Sequence, residues 1–195
     1  MKLLLDILQG AGLGTAAGLR PFLPGLVAGG LAAGDLGLDF DGTSWSFLEA
    51  PWWLVLLAVL LVVFLLARRF APDERIDDAA LVIGVVVGAF LAAGSLDDRH
   101  DTWWYGLIIG AAFALLSAVV VRSLFARVRT RFRASDDEAA AAALPFYAEL
   151  AGLVVAGLSI LFPPLALVAI VFLAALLVTG RRRSGQKYAG LRILR

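Results

Sequence analysis

From Pro51 to Ala67 the chain reads Pro-Trp-Trp-Leu-Val-Leu-Leu-Ala-Val-Leu-Leu-Val-Val-Phe-Leu-Leu-Ala, without one charged side chain. Comparable apolar runs recur along its length, and they limit the fold more than any other feature. The protein has 195 residues, 61% of them hydrophobic. A soluble domain of that size has no core large enough to hide so much apolar surface, so lipid must replace water around most of it. Several runs approach or exceed the roughly 20 residues that a helical span needs. Backbone amides in lipid must pair internally, which leaves helices or barrel strands. The runs are continuous rather than alternating, and that excludes a barrel.

The pattern predicts an all-α integral membrane protein with six transmembrane helices, over about 8–33, 51–68, 79–95, 103–122, 139–160 and 164–180. One six-helix domain, 1–180, is followed by a basic tail, 181–195. Sorting Lys and Arg by side tests this layout. The N-terminus, the second and fourth loops and the tail together hold 15 of the 17, Arg99 stands alone opposite, and Arg20 lies within a span. Under the positive-inside rule both termini are then expected in the cytoplasm. Local signals agree. Ser135-Asp136-Asp137-Glu138 forms a capping box before the fifth span. Trp52, Trp53, Trp103 and Trp104 stand where an aromatic belt would. Pro51 and Pro163-Pro164 sit at helix starts, where a missing amide costs little.

Of 33 charged residues, only Arg20 and Glu149 lie well inside spans. A charge in hydrocarbon is expensive and persists when it is paired, hydrated or functional. Arg20 precedes Pro21-Phe22-Leu23-Pro24. Pro21 and Pro24 remove two helical donors, and Pro21 pushes Arg20 out of helical geometry, so the first helix is expected to be broken at Pro21/Pro24. A broken helix exposes a fresh positive helix end at mid-membrane. Glu149 follows Leu144-Pro145-Phe146-Tyr147-Ala148. Counted from the same edge, both charges are roughly 15–18 Å deep. They are expected to face one another or a shared wet cavity. One reading is a permanent ion pair that glues helices. The other is a site for a proton, cation or anion whose pairing breaks during transport. Arg20 snorkelling to an interface is the third. Arg20, Pro21, Phe22, Pro24, Tyr147 and Glu149 are the candidate substrate or ion site.

Gly10, Gly14 and Gly18 repeat every four residues, as do Gly84/Gly88 and Gly106/Gly110, a spacing that lets helix backbones approach closely in lipid. The basic tail, with Arg181, Arg182, Arg183 and Lys187, is expected to contact anionic lipid headgroups. A weak echo links 16–22 with 142–146 and 25–31 with 152–158, each leading into a helix that opens on Pro and closes on Arg. It hints at two related hairpins inserted the same way up. Asp97-Asp98-Arg99-His100-Asp101 is read as a solvated acidic loop rather than a metal site. No cysteine occurs, which excludes disulfides and thiolate chemistry. Enzyme signatures such as a nucleophile elbow, a phosphate loop or a zinc-binding His pair are missing. No cofactor, metal or nucleic-acid partner is expected. The N-terminus resembles a secretory signal, but Asp6 and Gln9 interrupt it and no clean cleavage site follows, so it reads as retained. The 15-to-2 excess of Arg over Lys, with abundant Ala and Gly, points to a bacterium and its cytoplasmic membrane.

The stretch Gly12-Leu13-Gly14-Thr15-Ala16-Ala17-Gly18-Leu19-Arg20-Pro21-Phe22-Leu23-Pro24 resembles the opening signature of a family of small bacterial multi-span membrane proteins catalogued as a domain of unknown function. Phe162-Pro163-Pro164 and Lys187-Tyr188-Ala189-Gly190-Leu191-Arg192 are similar to its later motifs. The resemblance implies a multi-span bundle and supplies no activity. It also implies a small or amide residue near Arg20 and acidic residues near the end of the second span. This chain carries Phe64, Arg68 and Arg69 in that second region, so no ion-binding role transfers there. The leading expectation is a small transporter or channel-like protein, with a homo-oligomer supplying pathway volume that one bundle lacks. Its rival is a non-transporting scaffold or lipid-binding protein, and an enzyme on lipid-linked substrates ranks last.

Overall fold

The computed structural model describes residues 2–70, 74–100, 103–134 and 138–189. Seven α-helices fill them: α1 (Lys2–Leu19), α2 (Phe22–Ala32), α3 (Pro51–Phe70), α4 (Glu74–His100), α5 (Trp103–Ala134), α6 (Glu138–Leu161) and α7 (Pro163–Ala189). Pro51–Arg68, Arg75–Asp97 and Trp103–Ala126 are long and apolar enough to cross a membrane, by length and composition. Together they point to a multi-pass membrane protein. Most side chains of α3 face outward, among them Val55, Val59, Val62 and Leu66, as a lipid-facing helix requires.

Glycine neighbours fix the direction of each helix. Gly10 abuts Ala92, Ser95 and Leu96, Gly14 abuts Gly110, Gly88 abuts Gly14, and Gly84 abuts Ala17. Thus α1 runs antiparallel to α4 and parallel to α5. Gly25 meets Leu57 and Val87, and Gly29 meets Leu48 and Leu54. So α2 climbs back toward the level at which α1 began. That end, with residues 33–50 and the end of α4, is the acidic face. The other end, where α3, α5 and α7 finish, is the basic face.

The first span is therefore not one broken rod over 8–33. The chain breaks at Arg20-Pro21 as the prolines require, but it reverses there, and seven helices stand where six spans were expected. The expectation that both termini share a face falls with it, because α1 starts on the acidic face and α7 ends on the basic one. A pre-proline residue leaves helical geometry, and that local rule is satisfied equally by a kink or a return. Charge sorting could not choose between them, since Lys2 is the sole Lys or Arg ahead of Arg20.

The hairpin α1–α2 sits inside the bundle. Every residue from Gln9 to Gly18 is buried, and α1 packs against α4, α5, α6 and α7. Non-helical backbone at membrane depth is tolerated where protein encloses it. Around α1 stand three hairpins of one sense, α2–α3, α4–α5 and α6–α7. The echoing segments lie on α2 and α6, which pack together and run the same way. Where α1, α4 and α5 cross, Gly14, Gly88 and Gly110 stand backbone to backbone. A Cβ built on Gly14 would lie 2.6 Å from the Gly110 carbonyl oxygen. Gly18 abuts Ala114 and Ser117, and Gly106 abuts Ala92 and Ala93. The Ser117 hydroxyl donates to the Thr15 carbonyl at 2.8 Å, a polar tie between α1 and α5. A long loop closes the acidic face: Gln9 Nε2 donates to the Gly37 carbonyl at 3.0 Å, and Phe40 and Leu48 are fully buried.

Candidate functional site

The turn of the α1–α2 hairpin makes the site. Pro21 caps α2, and Pro24 occupies its first turn, where an absent amide hydrogen costs nothing. The turn leaves the positive end of α2 inside the bundle, and this end faces Glu149. The Arg20 guanidinium, the Leu23 amide and the Arg68 guanidinium all act on that carboxylate. Arg20 Nε lies 4.0 Å from Glu149 Oε1, with both side chains almost wholly buried. Neither carboxylate oxygen completes a hydrogen bond within the described residues. The contact is an ion pair without the bidentate geometry that makes such pairs strong.

Aromatic rings complete the surroundings. Arg20 and Arg68 each place their guanidinium carbon 5.4 Å from the Phe64 ring centroid, a cation–π distance. Arg20 also lies 5.8 Å from the Phe125 ring. Phe22 packs on Phe64 with centroids 5.5 Å apart. Pro24 packs against Gly152 of α6.

A vestibule of about 300 Å³ reaches from the basic face to the hairpin turn, lined by Arg20, Pro21, Asp77, Asp78, Arg122 and Phe125 among others. Arg68 pairs with Asp77 at 2.6 Å, and Arg122 pairs with Asp78. These pairs join α3 to α4 and α5 to α4 beside the vestibule. Glu149 is not among the residues lining it. Arg20 therefore stands between an accessible chamber and a buried carboxylate.

The structure brings together Arg20, Pro21, Phe22, Pro24 and Glu149. Tyr147 is elsewhere: it is 64% exposed and faces an apolar groove with Val155 and Phe172. Two residues on a helix differ by about 200° around its axis, so Tyr147 and Glu149 cannot share a face. Asp77, Asp78 and Arg122 were read as loop charges. Their signal was opposite signs at the adjoining ends of neighbouring helices. Asp6 was read as an interruption of a signal, yet it is 1% exposed near the start of α1. On the acidic face Asp39, Asp41 and Glu49 gather their carboxylate oxygens within 4.8 Å. Asp39 and Asp41 are exposed, as solvated surface acids commonly are. The side chains of Arg181, Arg182, Arg183 and Lys187 lie outside the described residues, as do Ser135-Asp136-Asp137 and the side chains of Asp98, Arg99, His100 and Asp101. Helix α7 continues through the first part of the tail, to Ala189.

No curated protein and no solved structure matches the chain. A family pattern described as a domain of unknown function, DUF4126, matches residues 7–183. The match takes in the α1–α2 hairpin, its Arg20 turn and the Glu149 helix, so the protein belongs to the DUF4126 family.

Proposed function

We propose that this protein is a small membrane transporter or channel-like protein whose polar site is the Arg20–Glu149 pair at the hairpin turn. One observation carries the reading: the charged vestibule ends on Arg20, with Glu149 buried directly behind it and 4.0 Å away. A pair meant only as glue gains most from a dry, fully hydrogen-bonded contact. This pair is incompletely bonded and has access from one face. Helix breaks that aim a positive helix end and an unpaired turn at a mid-membrane site are a common way to bind and release charge. No nucleophile–base constellation accompanies the pair, so the reading is transport rather than catalysis. By the segregation of Lys and Arg, the basic face is cytoplasmic and the membrane is the bacterial inner membrane. The basic tail then meets anionic headgroups, and a homo-oligomer supplies further pathway volume.

The test is flux in proteoliposomes. Glu149→Gln is expected to lower flux of the transported ion by about tenfold or more, because it removes the charge that Arg20 answers. Glu149→Asp, which keeps the charge, should retain part of it. Unchanged flux in Glu149→Gln removes Glu149 from the mechanism. A second reading, a non-transporting scaffold or lipid-binding protein, is favoured by the burial of both side chains. It predicts no flux from the wild-type protein at all.

A further inference from the structure

A second void touches the vestibule. It is a groove of about 300 Å³ with hydrocarbon walls, set between α5, α6 and α7 at the depth of the bilayer. Ala151, Ala169 and Phe172 lie on its far side. Its near side is Leu19, Val121 and Phe125, and these same three residues line the vestibule. The partition is one side chain thick. On one side of Phe125 stands the Arg20 guanidinium, 5.8 Å from the ring centroid. The other side is apolar and open toward acyl chains.

Charged chamber and apolar groove meeting across one partition fit a molecule that carries both characters. We propose that vestibule and groove are the two halves of one site for a single-chain anionic amphiphile. Its carboxylate or phosphate head lies against Arg20, and its chain lies along Ala151 and Ala169. The proposal rests on the transport reading and names its substrate class.

The sign of the head follows from the lining. Asp77 and Asp78 are each held by a guanidinium from a neighbouring helix, and Glu149 does not reach the chamber. The charge presented at its end is Arg20, whose five N–H donors in a planar fork exceed what one distant carboxylate oxygen can use. The groove volume stands at the lower end of the range for small-molecule pockets, which suits one chain rather than two.

Two sources share this chemistry, a free fatty acid and a lysophospholipid, and binding to the full-length protein in nanodiscs separates them. The probes are radiolabelled palmitate and lysophosphatidylglycerol. Saturable binding of about one molecule per chain is expected for at least one probe, and the probe that saturates identifies the source. Filling the groove with Ala151→Phe and Ala169→Phe together should weaken that binding by about tenfold or more. Arg20→Gln should do the same. Gly157→Ala, at a position with open space around it, should leave binding unchanged. The groove-filling pair decides the matter even if Arg20→Gln fails to fold, because neither alanine touches the ion pair. Saturation by neither probe overturns the proposal, as does wild-type binding by the groove-filled protein. A protein that binds a probe but carries no flux loses the transport reading and keeps this site. One that passes ions and ignores both probes loses this site and keeps the transport reading.

Discussion

Arg20 owes its position to the residue after it. Pro21 denies it helical geometry, and the turn that results delivers the guanidinium to Glu149 rather than to solvent. Both groups have shed their hydration, so removing one partner strands the other at a cost of roughly 3–5 kcal/mol. Arg20→Met should therefore lower the thermal midpoint in detergent sharply, and Arg20→Met combined with Glu149→Gln should regain much of the loss. A double variant no better than the single one would show that other contacts hold Arg20. Glycines offer a second test at this scale. Gly14→Val drives a side chain at the Gly110 carbonyl, where a Cβ would already lie 2.6 Å away, and overpacking of this kind costs about 1–3 kcal/mol. Gly157→Ala meets nothing within 4 Å and should be neutral or stabilising by up to about 1 kcal/mol. Melting curves of the two variants separate packing glycines from incidental ones. These residues were legible in the sequence because their signals are local: a charge in an apolar run, a proline after it, small residues four apart.

The α1–α2 hairpin is the element where sequence reasoning and structure part. Two prolines announce a break, but the direction of the chain beyond it depends on partners far away: Leu57 and Val87 beside Gly25, Leu48 and Leu54 beside Gly29. No periodicity within residues 8–33 encodes those contacts. Tyr147 went astray for a related reason, since nearness to Glu149 in sequence says nothing about which side of α6 it occupies. The hairpin makes a direct prediction in a protein that has no native cysteine. Single cysteines at Leu3 and Ser44 should react with an impermeant maleimide from one side of the membrane, and one at Phe70 from the other. Leu3→Cys and Phe70→Cys reacting from the same side would restore the single broken span. The loop that α2 feeds should also respond to pH. Burial, and a hydrogen bond shared with Asp41, hold the Glu49 carboxyl above its ordinary value of 4.5. The folded loop then binds a proton more tightly than the unfolded chain. Its stability should rise as pH falls through the folded value toward 4.5 and decline as pH rises again. Glu49→Gln, which keeps an acceptor for the Phe40 amide, should flatten that dependence when thermal midpoints are compared across pH.

At the scale of the molecule, three hairpins of one sense surround a helix of the opposite sense. The segregation of Lys and Arg foretold the hairpins well, because every one of their basic-face ends is marked by arginine or lysine. It was silent about α1, whose membership of the acidic face costs only Lys2. The vestibule escaped notice because it is made of helix ends that are far apart in the chain, with Asp77, Asp78 and Arg122 meeting the hairpin turn only in three dimensions. Enclosure of α1 has a consequence for how the protein is made. The helix that leaves the ribosome first is the one whose neighbours, α4 to α7, are translated last. Its packing surface of small residues, with Asp6 and Gln9 among them, has no matching slot until the final hairpin has been inserted. The N-terminal helix must wait in a provisional setting and be taken up at the end, so a nascent chain truncated before α6 should leave it accessible to protease.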